Sequence, residues 1–215
     1  SILYPALNRL INQYGEKAGR FDSIKGDIKL LKGIEMVDQN PIGRSSRSNP
    51  VTYIKAYDEI RKLFSEQPYA KRNGYAPSFF SFNIDGGRCE ECQGDGFIKM
   101  EMQFMSDVTL VCDVCGGKRF KQDILDDKYK DLNISDVLDL SVSQAIEFFG
   151  SQNEPLAKKV ADRLQPLQDV GLDYVKLGQA SSTLSGGESQ RVKLAYFLSK
   201  ENSQEHTLFI FDEPT

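Results

Sequence analysis

Thr183-Leu184-Ser185-Gly186-Gly187-Glu188-Ser189-Gln190-Arg191, together with the closing stretch Leu208-Phe209-Ile210-Phe211-Asp212-Glu213-Pro214-Thr215, decides how the rest of the chain is read. Ser185 with Glu188 three residues on fits a capping box, and Val192, Ala195, Tyr196 and Leu198 continue a helical stripe, so a helix is predicted to begin at Ser185. Glycines 186 and 187 in its first turn leave free backbone N–H groups, and the positive end of the helix dipole, open to a bulky anion. Ser-Gly-Gly-Glu alone is also an ordinary helix start. What sets it apart here is the β-branched and aromatic strand that follows, ending in adjacent acids, Asp212 and Glu213, with Pro214 as a stop. One such carboxylate can hold Mg²⁺ while its neighbour orients a water, the arrangement phosphoryl transfer requires.

The chain is 215 residues long and 40% apolar, enough to bury a core as one or two domains. It contains no apolar run long enough to cross a bilayer and no charged-then-apolar leader, which points to a cytoplasmic protein without a membrane partner. A net charge of −4 excludes a generally basic surface, so any nucleic-acid contact must be a local patch. The sequence lacks an initiator Met, opens inside a predicted helix and stops just after the acids. It is therefore expected to be an excerpt of a longer protein.

Cys89-Glu90-Glu91-Cys92 and Cys112-Asp113-Val114-Cys115 give two C-x₂-C pairs at the spacing of a closed, tetrahedral Zn²⁺ site. Four ligands leave no open position, so a structural rather than catalytic ion is expected. Gly94 and Gly96 after one pair, and Gly116 and Gly117 after the other, allow sharp turns around the ion, and Arg88, Lys118 and Arg119 are candidates to balance the thiolates. Residues 97–104 and 108–111 read as two strands turning at Ser106-Asp107, so a hairpin should project from the zinc base within residues 86–120.

Elsewhere the pattern alternates between helices and short strands, an α/β (mixed) chain. Leu3, Leu7, Leu10, Ile11 and Tyr14 predict a first helix stopped by Gly15, and residues 34–38 predict a strand leading to Gln39. Asn49 followed by Pro50 opens a predicted helix carrying Val51, Ile54, Ile60, Leu63 and Phe64. Arg44 and Arg47 just before it either face phosphates or lie in a solvated loop. Helices are also expected from Asn133, from Ser141 to a stop at Gly150, and from Leu156 to a bend or end near Pro166. Residues 75–83 are rich in aromatics beside Lys71 and Arg72. They are either core or a stacking surface for nucleic acid, the latter reading extending to Arg88, Lys99, Lys118 and Arg119 as phosphate contacts.

Leu184 to Glu188 with Phe209 to Glu213 resembles the signature motif and Walker B strand of the ABC-type ATPases. In that family a strand-end glutamine reaches the Mg²⁺ and the attacking water, and Gln39 occupies the matching place. By that resemblance Gln39 would serve ATP and Mg²⁺ on this module, with Asp212 as metal ligand and Glu213 as the catalytic carboxylate, whereas Ser185, Gly186, Gly187 and Glu188 would complete the ATP site of an opposing module, so the chain carries parts of two sites. The resemblance implies core segments at 1–43 and 184–215, with residues 44–183 forming a helical signature domain into which the zinc module is inserted. The lysine loop that grips phosphates is absent, so the chain alone is expected not to hydrolyse ATP. The order Cys89-x-x-Cys92-Gln-Gly94-Asp-Gly96, Cys112-x-x-Cys115-Gly-Gly-Lys-Arg, Asp169-Val-Gly-Leu172, Thr183 to Glu188 further resembles the second half of the UvrA family of nucleotide excision repair. That likeness implies binding of lesion-containing DNA as a dimer with ATP, and hand-over to UvrB through the half not represented here. Cys-x-x-Cys-x-Gly-x-Gly is also the repeat unit of the DnaJ-type chaperone zinc domain, which makes a zinc-dependent interaction module the rival reading. It leaves Leu184 to Glu188 unexplained.

Overall fold

The computed structural model describes residues 2–43, 45, 47–102, 107–200 and 206–213. Helix α1 (Leu3–Asn12) ends with Gln13 in the left-handed region at φ 62°, two residues ahead of the glycine expected to stop it. Strand β1 (Gly33–Val37) follows, then α2 (Pro50–Tyr53), α3 (Ala56–Ser65) and α4 (Pro68–Asn73). The single helix expected after Asn49 is thus two. Asn49 caps as expected, its side chain accepting from Thr52 N–H, but Lys55 at φ 65° breaks the run before Ala56. Strands β2 (Phe97–Met100) and β3 (Val108–Val111) pair antiparallel, Phe97 opposite Val111 and Met100 opposite Val108. The expected hairpin is therefore present in its stem, while its turn, with Phe104 and Ser106, lies outside the described residues, as does Arg44.

Helix α5 (Gln122–Leu125) leads into the short strands β4 (Lys128–Tyr129) and β5 (Leu132–Asn133), then α6 (Ile134–Asp139), α7 (Val142–Gly150) and α8 (Pro155–Asp169). Capping boxes at Asn133/Asp136 and Ser141/Gln144 open α6 and α7, because each side chain satisfies a backbone N–H that the first turn leaves without a partner. Helix α8 does not end at Pro166. It runs a further turn to Asp169, where Leu164 and Leu167, both fully buried, hold the last turn against the core. Gly171 at φ 73° then reverses the chain. Helix α9 (Gly186–Leu198) and strand β6 (Thr207–Phe211) complete the described chain; Pro214, expected to stop the strand, lies outside it.

One apolar core unites α3, α6, α7 and α8, receives Val192 and Ala195 from α9, and extends to Phe80, Phe82 and Phe120 beneath the cysteines. The aromatic stretch is thereby assigned. Phe80 and Phe82 are fully buried, the Tyr57 hydroxyl donates to the Phe80 carbonyl at 2.6 Å, and neither ring is available for stacking on bases. Each such ring contributes about 1.5–3 kcal/mol through burial, more than an exposed stacking role would leave to the fold. Beside α9, β1 and β6 pair in parallel, Gly33 opposite Thr207 and Val37 opposite Phe211.

Within the core Asp127 is fully buried, and neither carboxylate oxygen has a well-formed hydrogen bond. Burial pushes its carboxyl up to about 6, offset only in part by the Ala70 backbone N–H. A carboxyl raised in the folded state above its unfolded value favours folding while protonated, so its contribution is full below the unfolded pKa and is lost as pH rises through about 6. Asp127→Asn should therefore raise the urea midpoint of the chain at pH 7.5 and remove part of its decline between pH 5 and 7.5. An unchanged midpoint at pH 7.5 would contradict this.

Candidate functional site

Parallel pairing sets the first site. Because Val37 lies opposite Phe211, the chain leaves both strands at the same edge, with Gln39 beside Asp212 and Glu213. The Asp212 N–H donates to Val37 O at 3.2 Å, prolonging the ladder by one bond, and the Gln39 side-chain amide donates to Glu213 O at 2.7 Å. Both carboxylates are exposed at the C-terminal end of the strands, where open α/β sheets bind ligands.

The N-terminus of α9 arrives at the same edge. Ser185 accepts from the Glu188 N–H at 3.2 Å, and the Glu188 carboxylate accepts from the Ser185 N–H at 2.7 Å, the capping box read from sequence. The Tyr174 hydroxyl also donates to Glu188, and with the Ser185 bonds it holds that carboxyl below its usual range. Gly186 packs on Gln39: a β-carbon there would stand 2.7 Å from Gln39 Oε1 and 3.1 Å from its Cβ, so a larger residue would push the Gln39 side chain aside. Gln39, Ser185, Gly186, Glu188, Asp212 and Glu213 thus come together in one neighbourhood. Two residues that the sequence did not single out hold it. Gln190 donates to Val37 O and Asp212 O, and Lys193 donates to Asp38 through both its carboxylate and its carbonyl. Burial acts to raise the Asp38 carboxyl, but Lys193 and Asn40 bring it below its ordinary value.

The second site is the cysteine cluster. The sulfurs of Cys89, Cys92, Cys112 and Cys115 all lie within 4.8 Å of one another and all four residues are buried. Cys89 to Cys112 is 3.9 Å and Cys92 to Cys115 is 3.7 Å, nearly twice a disulfide length of about 2.0 Å. Four thiolates at about 2.3 Å from a tetrahedral ion stand about 3.8 Å apart, so the spacing fits a metal centre. Burial pushes the Cys92 thiol up to about 12. Four thiolates cannot gather here without a cation to compensate them. Gly94 and Gly96, at φ 86° and 81°, make the turn after Cys92, and the Gly96 N–H donates to Cys92 Sγ at 3.2 Å. The knuckle is closed below by Cys89 N–H to Arg119 O at 2.8 Å and Lys121 N–H to Gly87 O at 2.9 Å. Ile98 packs on the cysteines from β2.

The basic residues divide. Arg119 donates to Gly178 O at 3.1 Å and lies over the Phe82 ring, and Arg88 is bound to Asp85, Asn83 O and Gln93. Both guanidinium groups are engaged within the fold. Lys99 is exposed but paired with Asp107. Lys71, Arg72 and Lys118 are exposed. Arg47 faces no solvent-filled loop: its Nη1 donates to Gln93 O at 3.1 Å and its Nε stands 3.7 Å from Asp95, tying the segment after Gln39 to the cysteine knuckle. Among the described residues no helix is long and apolar enough to cross a membrane.

No family model matches the chain. Individual proteins do. The UvrABC system protein A of Clostridium perfringens is 52% identical over 214 residues, all of this chain and 22% of that protein. Its namesake in Treponema pallidum is 53% identical over 215 residues, again 22% of its own length. The chain thus spans about a fifth of the curated relatives it matches. Among solved structures, UvrA2 from Deinococcus radiodurans superposes with a TM-score of 0.81 at 43% identity, over 89% of this chain and 23% of that one. With identity sustained along the whole chain and a shared mixed helix and strand fold, this chain matches a segment, about a fifth, of the UvrABC system protein A, UvrA.

Proposed function

We propose that this chain is the segment of a cytoplasmic DNA-damage recognition ATPase that carries the signature helix, the catalytic acids and one zinc module, and that the full-length protein binds lesion-containing DNA as a dimer and passes it to UvrB. The observation that carries the reading is the meeting of Gln39, Gly186, Asp212 and Glu213 at one strand edge, from three distant parts of the chain. In this reading residues 1–43 and 184–215 belong to the ATPase core and residues 44–183 to the signature domain, with the zinc module at 86–120.

Asp212 and the Gln39 carboxamide oxygen would be hard oxygen ligands for Mg²⁺ held alongside substrate phosphates, where such an ion would supply charge neutralisation. Glu213, next along the chain, orients the attacking water and accepts its proton. The backbone N–H groups at Gly186 and Gly187 offer donors to the phosphate oxygens of a nucleotide held by an opposing module, with Ser185 and Glu188 fixing the first turn that presents them. The four cysteines would hold Zn²⁺, which supplies cross-linking of two chain segments rather than chemistry. Lys71, Arg72 and Lys118 are the charges free to meet DNA phosphates; Arg88 and Arg119 support the fold that presents them.

Freshly purified protein should contain about one zinc per chain bound here, and Cys112→Ser should abolish it while opening residues 86–120 to hydrogen exchange; metal analysis finding none sinks the assignment. In the full-length protein Glu213→Gln should bind nucleotide normally yet lose about two to four orders of magnitude in turnover at this site. Unimpaired hydrolysis would move the catalytic carboxylate elsewhere. Charge reversal at Lys71, Arg72 and Lys118 together should weaken DNA binding at low salt and flatten its salt dependence by about three ions. Unchanged affinity would make this face a solvated one.

A further inference from the structure

Gln190 carries a polar side chain into a place where apolar ones would be expected. It is 4% exposed, and its Nε2 donates to Val37 O at 2.8 Å and to Asp212 O at 3.0 Å, so both amide hydrogens are used. These acceptors are the carbonyl that ends β1 and the first carbonyl past β6. One side chain from the second turn of α9 thus spans the sheet edge from which the acids project. The next carbonyl along, Glu213 O, is taken by the Gln39 amide at 2.7 Å. Glu213 itself sits at φ 47°, the left-handed region that residues with a β-carbon seldom adopt and that surrounding structure must hold. The peptides on either side of Glu213 are each fixed by a glutamine amide, Gln190 before it and Gln39 after it.

We propose that Gln190 is a positioning residue for the acids: by holding the Asp212 carbonyl it sets the direction of the Asp212 and Glu213 carboxylates, and it makes that direction depend on where α9 lies. Lys193, one turn further on, fastens the same helix to Asp38 at the end of β1, so α9 and the strand edge move as one piece. Any displacement of the helix whose first turn is Gly186-Gly187 reaches the acids through one amide. The inference rests on the reading of Asp212 as metal ligand and Glu213 as water-orienting base.

The test uses the full-length protein carrying this segment, with zinc retained. Gln190→Met keeps the length of the side chain and removes both donors. Gln190→Asn keeps the donors but draws them back by one carbon. Steady-state ATP turnover is measured against Mg²⁺ concentration, beside equilibrium binding of a fluorescent ATP analogue and zinc content, with Glu213→Gln as reference. Misdirected acids should lower kcat by about 10- to 100-fold in Gln190→Met and raise the half-saturating Mg²⁺ severalfold, with analogue affinity and zinc content near wild type. Gln190→Asn should fall between. A residue that merely supports the fold would reduce the active fraction, scaling kcat down without moving the Mg²⁺ midpoint. That midpoint reads only folded molecules, so it decides the matter even when recovery is poor. If the midpoint stays within about twofold of wild type while Glu213→Gln abolishes turnover, the positioning role is overturned and the site stands. Should Glu213→Gln turn over normally, the site assignment falls first.

Discussion

The parallel pairing of Gly33–Val37 with Thr207–Phe211 is the constraint on which the rest of the structure depends. These strands enclose helices α2 to α9 and the cysteine knuckle between them in sequence, yet they place residue 39 against residue 213. A slip of one residue in register would turn alternate side chains to the other face and carry Gln39 away from the acids. Two strands cannot enforce a register alone. Here α9 does so from outside, with Gln190 bridging both strand ends and Lys193 on Asp38. Gln190 bonds are worth about 1 kcal/mol each net, but losing the donor would strand the Asp212 carbonyl at about 1–3 kcal/mol, while Val37 O would keep the Asp212 N–H. The penalty for absence, more than the gain from presence, is what makes the junction specific.

The cysteine knuckle has the opposite character. Its own buried side chains are the cysteines, with Ile98 packed against them, and its hairpin strands are exposed on β3 throughout. Such a unit buries little apolar surface of its own to order it by packing alone. Its attachment is nonetheless apolar. Phe82 and Phe120, on the flanks of the cysteine loops, are fully buried in the main core and meet edge to face at 6.2 Å. The knuckle is therefore rooted in the main core through these rings, with the clustered cysteines beyond them. The DnaJ-type reading addressed the tip alone, and sustained identity to UvrA proteins across the whole chain decides between the two.

What the sequence disclosed follows from how local each signal is. Capping boxes at Ser141 and Ser185 involve residues three apart, and paired cysteines carry their spacing within four, so both were legible. The left-handed Lys55 that divides α2 from α3 has no such mark, since a lysine adopts φ 65° only because the helices it joins are docked elsewhere. Arg88 and Arg119 were read from charge alone, since sequence shows charge but not partners; Arg119 finds Gly178 across 59 positions. Gln190 escaped for the same reason. Ser189 and Gln190 are both buried on α9, but polar residues on an inward face leave no apolar periodicity to follow.

Arg47 shows how the two sites share a frame. Read as a basic loop residue, it donates instead to Gln93 O and stands beside Asp95, within the turn that follows Cys92, while its neighbour Ser48 accepts from the Ser181 N–H at 2.7 Å just ahead of α9. The segment leaving Gln39 is thus joined to the knuckle by one residue and to the approach of the signature helix by the next. A partly buried guanidinium spans these backbone segments better than a lysine would, because its planar fork can meet a carbonyl and a carboxylate at once. Loss of order in the knuckle would free Gln93 and Asp95, leave the buried Arg47 Nε without compensation, and loosen the loop that begins at Gln39. Arg47 therefore ties the cysteine knuckle, and Ser48 the approach to α9, to the segment that follows the strand edge.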